Sequence, residues 1–303
     1  MPKFSVVIPT YNRADSLLRT LQSVLAQSFI DFEAIVVDDG STDNTQQVVN
    51  TLKDPRIRYH KMINSGGPAT PRNKGISEAK GEWICLLDSD DLWYPQKLMV
   101  LHDYLQKNVN IDVAYHSLNI NMDYLRVTRA IYTRGLMTNS YEDLLRNGND
   151  CPTSSVAVRK SFINRNNIEF DESKEFRIVE DYDFWLKLAD CGARFVRIDQ
   201  VLGEYVVGFE NISGDVKKHR KNLLHILHYH VFEVQRFEPD KKKLWREIKA
   251  KNHAQFAVLD MKNKHYAFAI KNSSIAAFCS PKYFMRRFMK ASHKILSSNS
   301  QKI

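Results

Sequence analysis

The sequence predicts an α/β fold with a mixed, mostly parallel sheet, followed by an all-helical extension. Three observations carry this. Over residues 1–117, short β-branched runs alternate with helically spaced apolar positions, as parallel strands joined by crossover helices do. From 125 to 207 the alternation becomes irregular, so the rest of the sheet is expected to be mixed. Beyond 214 every apolar stretch has helical spacing.

Taken in order, 4–8 (F-S-V-V-I) reads as a strand ended by Pro9, and 13–26 as a helix with Leu17, Leu18, Leu21, Val24 and Leu25 on one face. A second strand spans 32–37 and stops at Asp38-Asp39-Gly40. Asp43 with Gln46 three residues on looks like a capped helix start, with the helix running to 52. A strand at 57–61, a helix at 70–79, a strand at 83–87, a helix at 95–107 and a strand at 112–115 follow. The irregular half predicts strands at 125–132, 154–158, 193–198 and 203–207, with helices at 141–146 and 181–189. Residues 208–214, with two Gly, Asn and Ser, read as a connecting loop. Tail helices are expected at 217–237, 241–260, 264–278 and 282–297.

This places a body at 1–214 and an extension at 215–303, and the charges divide at the same point. The body holds 24 Lys and Arg against 29 Asp and Glu, whereas the extension holds 20 against 6. The net charge of +9 is therefore a property of the tail. Mean hydropathy is −0.41, and no stretch approaches the roughly 18 apolar residues of a membrane span. With a strand beginning at Phe4 there is no room for a signal peptide, so cytoplasmic residence is expected. Four dispersed cysteines without a C-x-x-C pair fit reduced thiols and suggest no zinc site.

Loops leaving the carboxyl ends of parallel strands meet at one sheet edge. Three of them here are polar: Thr10-Tyr11-Asn12-Arg13, Asp38 to Asp43, and Asp88-Ser89-Asp90-Asp91. In an extended segment Asp88 and Asp90, at i and i+2, share a side, and two ionised carboxylates there call for a hard dication, Mg²⁺ or Mn²⁺. Asp90 or Asp91 alone would serve as a helix cap, Asp38 and Asp39 as turn formers, and Asn12 as a cap. Arg72 leads a helix near this edge, where its guanidinium would reach a phosphate or lie on the surface. The segment 66–75 lacks phosphate-loop spacing, and no G-x-G-x-x-G follows a strand, which argues against ATP hydrolysis and dinucleotide redox chemistry. Glu180-Asp181 opens a helix whose dipole the pair would stabilise, and a carboxylate there would also suit a general base.

The combination P-T-Y-N-R, V-V-D-D-G-S-T-D, G-P-A-x-x-R-N-x-G, L-L-D-S-D-D-x-W-x-P and E-D-Y-D-F-W-L-K-L resembles the inverting glycosyltransferases of family two over about residues 3 to 207. The resemblance implies a Rossmann-like GT-A domain, a UDP-sugar donor and a divalent metal. It implies that Thr10 and Asp39 hold the nucleoside, that Asp88 lies near ribose and metal, that Asp90 is the principal metal ligand, and that Asp181, supported by Glu180, is the catalytic base. Tyr11, Asn12, Asp38 and Arg72 fall in the nucleotide-binding loops, while Trp93 and Trp185 would stack on sugar rings of the acceptor or, as large aromatics more often do, lie in the core. One departure is that Tyr205-Val206-Val207-Gly208 replaces a Y-R-x-H type pattern frequent in the family, removing one basic contact to diphosphate or metal.

The expected product is a cell-surface polysaccharide, such as capsule or lipopolysaccharide, built on a glycan or lipid-linked acceptor. The helix at 282–297 places Tyr283, Phe284, Phe288, Met289 and Ile295 among Arg286, Arg287, Lys290 and Lys294, the pattern of a helix lying on an anionic membrane from the cytoplasmic side. Packing on neighbouring helices, or on a second subunit of a homo-oligomer, is the alternative. Two rival functions are weaker: a sugar-nucleotide nucleotidyltransferase would need a Gly/Lys-rich triphosphate loop, and a nucleic-acid-binding protein would use the tail alone. No nucleic-acid partner is expected.

Overall fold

The computed structural model describes residues 1–122, 127–207 and 215–285. Two compact units emerge, Met1–Leu223 and Leu224–Ile303. The division between them falls inside the helix Val216–Tyr229, after Leu223.

In the first unit, β1 (Phe4–Thr10), β2 (Phe32–Asp38), β3 (Ile57–Lys61) and β4 (Trp83–Leu86) form a parallel half-sheet in the order β3-β2-β1-β4. Every residue of β1 and β2 is buried, as expected of strands covered on both faces. The intervening helices are α1 (Ala14–Leu25), α2 (Thr45–Thr51) and α3 (Ala69–Glu78). Leu17, Leu21 and Val24 of α1 join Phe4, Val6, Ile8 and Trp83 in the core.

The second half-sheet comprises β5 (Leu92–Trp93), β6 (Val113–Met122), β7 (Val127–Ile131), β8 (Ala157–Arg159) and β9 (Phe195–Val206). It continues the sheet as β4-β8-β6-β9-β5, with β7 also on β6. The ladder between β6 and β9 is parallel, while those of β8, β5 and β7 are antiparallel. Helices α4 (Lys97–Lys107), α5 (Ser140–Asn147), α6 (Lys160–Asn166) and α7 (Glu180–Asp190) complete the body.

Four sequence expectations need correction here. The strands expected at 193–198 and 203–207 are one strand. His116 pairs with Ile198 but Ser117 with Val201, so Asp199-Gln200 is a bulge and not a chain reversal. Residues 154–158 do not begin as a strand, because Thr153–Ser155 is a 3₁₀ turn. Asp43 does not open a capping box. Its carboxylate accepts from Thr45 N–H and, across the loop, from Ala14 N–H at the start of α1. The Asp88–Asp91 segment is a turn closed by Asp91 N–H donating to the Asp88 carbonyl at 3.1 Å, not an extended run. Residues 125–126, the loop at 208–214 and the part of the last expected helix beyond 285 lie outside the described residues.

Close packing of α3 on the sheet rests on Gly75. A Cβ there would lie 2.4 Å from Val7 Cγ1, a stiff side chain inside β1. Gly75→Ala should therefore destabilise the body by about 1–2 kcal/mol, overpacking outweighing the gain in helix propensity. A urea midpoint equal to or above that of the wild type would refute this packing.

Two described helices of the second unit, α9 (Lys241–Lys262) and α10 (Tyr266–Cys279), follow α8 (Val216–Tyr229) and a short π-helical segment, His230–Val234. Between α9 and α10, buried Ala250, Ala254, Ala257, Ala269 and Ala276 permit close approach. Asn272 joins them, its Oδ1 accepting from His253 Nδ1–H at 2.7 Å and its Nδ2 donating to Asp260 Oδ2 at 2.8 Å. Phe268, Ile270 and Phe278 of α10 are exposed.

Candidate active site

The polar loops at the carboxyl ends of β1, β2 and β4 open onto one cleft of about 660 Å³. Thr10, Tyr11, Asn12, Asp39, Arg72, Asp88, Asp90, Glu180 and Asp181 all line it. Residues from five separate sequence motifs thus share one hollow.

At the β1–β2 end, Asn12 sits at φ 50 and pins two loops together: its N–H donates to Ser41 Oγ and its Oδ1 accepts from Thr42 N–H, both at 2.8 Å. Asp39 is buried beside it. Its Oδ1 accepts from Ser65 N–H at 2.7 Å and Ser65 Oγ–H at 2.9 Å, and its Oδ2 accepts from Gly66 N–H at 3.3 Å. Gly66 needs its φ of 81, and any Cβ there would press on the Arg177 guanidinium. Thr10 Oγ1 is buried without a hydrogen-bond partner, a polar group facing the cleft that a ligand would satisfy.

Arg72 is only 4% exposed and joins the two acidic sides. Its Nη1 donates to Glu180 Oε1 at 2.6 Å and its Nη2 to Asp88 Oδ1 at 2.7 Å. Burial alone would lower its pKa, but the carboxylates of Asp88 and Glu180 more than offset this and hold the guanidinium charged. Arg72 is therefore not a surface arginine: it lines the cleft, and both of its Nη groups are engaged by carboxylates.

Asp90 is ion-paired with Arg13 at 2.6 Å. Its pKa is raised, first by burial and then by the Asp88 charge, against the pull of Arg13. Asp91 points inward instead: its Oδ1 accepts from Val206 N–H at 2.9 Å and its Oδ2 from Ser154 Oγ–H. Among the described residues no group of three or more His, Cys, Asp or Glu side chains converges as a metal cage. Asp88 and Asp90 each meet an arginine through one oxygen, leaving Oδ2 of Asp88 and Oδ1 of Asp90 outside those pairs. Two carboxylates fit an open Mg²⁺ or Mn²⁺ site of the kind whose remaining ligands are substrate phosphates and water.

Across the cleft, α7 begins with Glu180 and Asp181. The preceding Ile178 has φ 75, a costly conformation for a β-branched residue, and it lines the cleft. Asp181 Oδ1 accepts from Tyr182 N–H at 2.7 Å, while Oδ2 accepts from Thr153 Oγ–H at 3.0 Å and Asn149 Nδ2–H at 3.4 Å. Burial raises the pKa of both Asp181 and Glu180, partly countered by Arg72.

Three expected site residues are elsewhere. Asp38 is fully buried beneath the loop, accepting from Ser41 N–H at 2.7 Å and from the Tyr59 hydroxyl, so it shapes the loop without reaching a nucleotide. Trp185 is 0% and Trp93 3% exposed, and neither lines the cleft. Trp93 Nε1 donates to the Ser154 carbonyl at 2.8 Å and Lys97 Nζ lies 3.4 Å from its ring centroid. Both indoles are core, and neither face is open to a sugar. Conversely, sequence reading missed Arg13, Thr153, Ser154 and Asp91. Arg13, directly after Asn12, and Asp91, read only as a helix cap, lie in loops already picked out, whereas Thr153 and Ser154 carried no local signal.

A parallel half-sheet whose carboxyl-end loops turn onto one acidic cleft, continued by a mixed half, defines the GT-A class of fold. The chain belongs to glycosyl transferase family 2, whose sequence model matches residues 5–166, more than half of the chain. An uncharacterized glycosyltransferase of Rickettsia felis is 31% identical over 75% of this chain and 37% of its own length. The poly(ribitol-phosphate) beta-N-acetylglucosaminyltransferase TarP of Staphylococcus aureus is 30% identical over 63% of this chain and 64% of its own length. The chain thus spans less than two thirds of these curated relatives. Among solved structures, S. aureus TarS 1–349 in complex with UDP-GlcNAc superposes with a TM-score of 0.67 at 22% identity, covering 93% of this chain and 82% of that one, which bears on the fold.

Proposed function

We propose that the protein is an inverting glycosyltransferase that moves a sugar from a UDP-sugar to a hydroxyl of a glycan or lipid-linked acceptor in cell-surface polysaccharide synthesis. The observation that carries this reading is the convergence of Asp39, of Asp88 and Asp90, and of Asp181, from three distant segments, on one cleft. The relatives' names support the reaction class, and the UDP-GlcNAc complex of TarS supports the donor class.

Thr10 and Asp39 bind the nucleoside at one end. Asp181 Oδ takes the proton of the acceptor hydroxyl while that oxygen bonds to the anomeric carbon from the face opposite the diphosphate. The bond from the anomeric carbon to the diphosphate oxygen breaks, its electron pair leaves with UDP, and the anomeric configuration inverts. The raised basicity of Asp181 suits this task, because a base with a pKa nearer the working pH accepts a proton more favourably. Asp88 and Asp90 would hold Mg²⁺ or Mn²⁺, which would neutralise charge developing on the departing diphosphate. Glu180 keeps Arg72 in place.

No described helix is long and apolar enough to cross a membrane. The exposed Phe268, Ile270 and Phe278 of α10, with the strongly basic extension, favour contact with an anionic membrane surface where lipid-linked acceptors reside.

A donor screen tests the proposal. UDP-Glc, UDP-Gal, UDP-GlcNAc, UDP-GalNAc and UDP-GlcA, each with Mn²⁺ or a chelator, are assayed for UDP release. One donor should be turned over in a chelator-sensitive way. Release from none, with and without candidate acceptors, would refute the reading.

A further inference from the structure

The dipeptide Thr153-Ser154 touches both halves of the cleft, and nothing in the family motifs includes it. Both residues are buried, 8% and 1% exposed, in the 3₁₀ turn that precedes β8. Thr153 Oγ–H donates to Asp181 Oδ2 at 3.0 Å. The next residue serves the opposite side: Ser154 Oγ accepts from Asp88 N–H at 3.1 Å and donates to Asp91 Oδ2. Its carbonyl accepts from Trp93 Nε1 at 2.8 Å and Lys97 Nζ at 2.9 Å.

Lys97 makes this arrangement more than incidental. Its side chain is completely buried, and desolvation pushes its pKa well below the usual lysine range. A buried amine is costly unless it is used. Here it holds the Ser154 carbonyl from below while resting on the Trp93 ring. The turn itself is stiffened by Pro152, whose carbonyl accepts from Ser155 N–H at 2.8 Å and Ser155 Oγ–H at 2.7 Å.

We propose that Thr153 and Ser154 are paired positioning residues that fix the distance between the base and the diphosphate-binding loop. Resting on the glycosyltransferase reading above, the inference assigns Thr153 to the aim of Asp181 and Ser154, braced by Lys97, to the Asp88–Asp91 turn. Consecutive Cα atoms stand 3.8 Å apart whatever the loops do, so one rigid dipeptide references both ends of an in-line displacement. Misplacement by about 1 Å in such a reaction costs on the order of a hundredfold in rate.

The two residues should fail differently. Thr153→Val keeps shape and removes the hydroxyl, so kcat should fall about tenfold to hundredfold with UDP affinity unchanged. The acidic limb of the kcat profile should also move to higher pH, because the Thr153 hydrogen bond lowers the pKa of Asp181. The other charged or titratable groups acting on Asp181 are Arg72, Asp88, Glu180, Cys151 and Tyr182, all retained in this variant. Thr153→Ser, which restores the donor, should recover most of the rate and return the limb. Ser154→Ala should instead weaken UDP binding in Mn²⁺, read by calorimetry. A Thr153→Val enzyme with wild-type kcat and limb, or a Thr153→Ser enzyme as impaired as the valine variant, overturns the inference while leaving the glycosyltransferase reading intact. A wild-type protein that releases UDP from no donor overturns both.

Discussion

Asp181→Asn is expected to lower kcat for sugar transfer by at least about 10³-fold while leaving UDP affinity within about twofold, because a positioned base supplies up to about 10⁴ in rate and binds no part of the leaving group. The amide keeps the size of the side chain and can still receive the Tyr182 N–H through its oxygen. What it cannot do is accept the acceptor's proton. The same assignment fixes the sign of the pH dependence in the wild type. Burial raises the Asp181 pKa above its ordinary carboxylate value, and the protonated form is inactive, so the rate should rise with pH through a limb above that value. Single-turnover transfer and UDP calorimetry on the same preparation check both halves. An Asn variant with near wild-type turnover would remove Asp181 from the chemistry.

The second large effect is on stability. Arg72→Met should cost about 3–5 kcal/mol, the usual consequence of stranding a buried charge. Glu180, 4% exposed, loses its ion pair at 2.6 Å, and Asp88 loses its pair at 2.7 Å. Glu180 already has a raised pKa through burial even with the guanidinium present, and removing that cation raises it further. A carboxyl whose pKa is higher folded than unfolded binds its proton more tightly in the native state, so stability is lost as pH rises above the unfolded value. The deficit of Arg72→Met should therefore narrow as pH falls through the ordinary glutamate range. Adding Glu180→Gln should restore part of the loss. Urea unfolding at several pH values measures this, and a pH-independent deficit under about 1 kcal/mol would mean that the triad behaves as a surface pair.

The half-sheet was legible because β1 and β2 are buried on both faces and its strands are bounded by turn residues: even the half-buried 57–61 begins and ends where the sequence places it. The cleft was legible because three of its loops advertise themselves with Asp, Asn and Thr after apolar strands. What was not legible depends on partners remote in sequence. Leu92–Trp93 is a strand because Leu92 pairs with Glu204 and Trp93 with Gly203. Asp199-Gln200 is a bulge because β6 has no residues opposite it. Ser154 reads as the start of a strand at 154–158 until its bonds to Asp88 and Asp91, and that of Thr153 to Asp181, hold the turn. Trp93 and Trp185 illustrate the converse: closeness in sequence to acidic residues does not place a side chain in the site, and large indoles go to the core.

The central claim is that carboxylates on the two sides of one cleft divide the labour, Asp90 gripping a metal-bound diphosphate and Asp181 acting on the acceptor. UDP titrations into wild type, Asp90→Ala and Asp181→Asn, each with Mn²⁺ and with chelator, test it most directly. The account predicts chelator-sensitive binding that Asp90→Ala loses and Asp181→Asn retains. Equal loss in both variants, or wild-type binding indifferent to the metal, would contradict it.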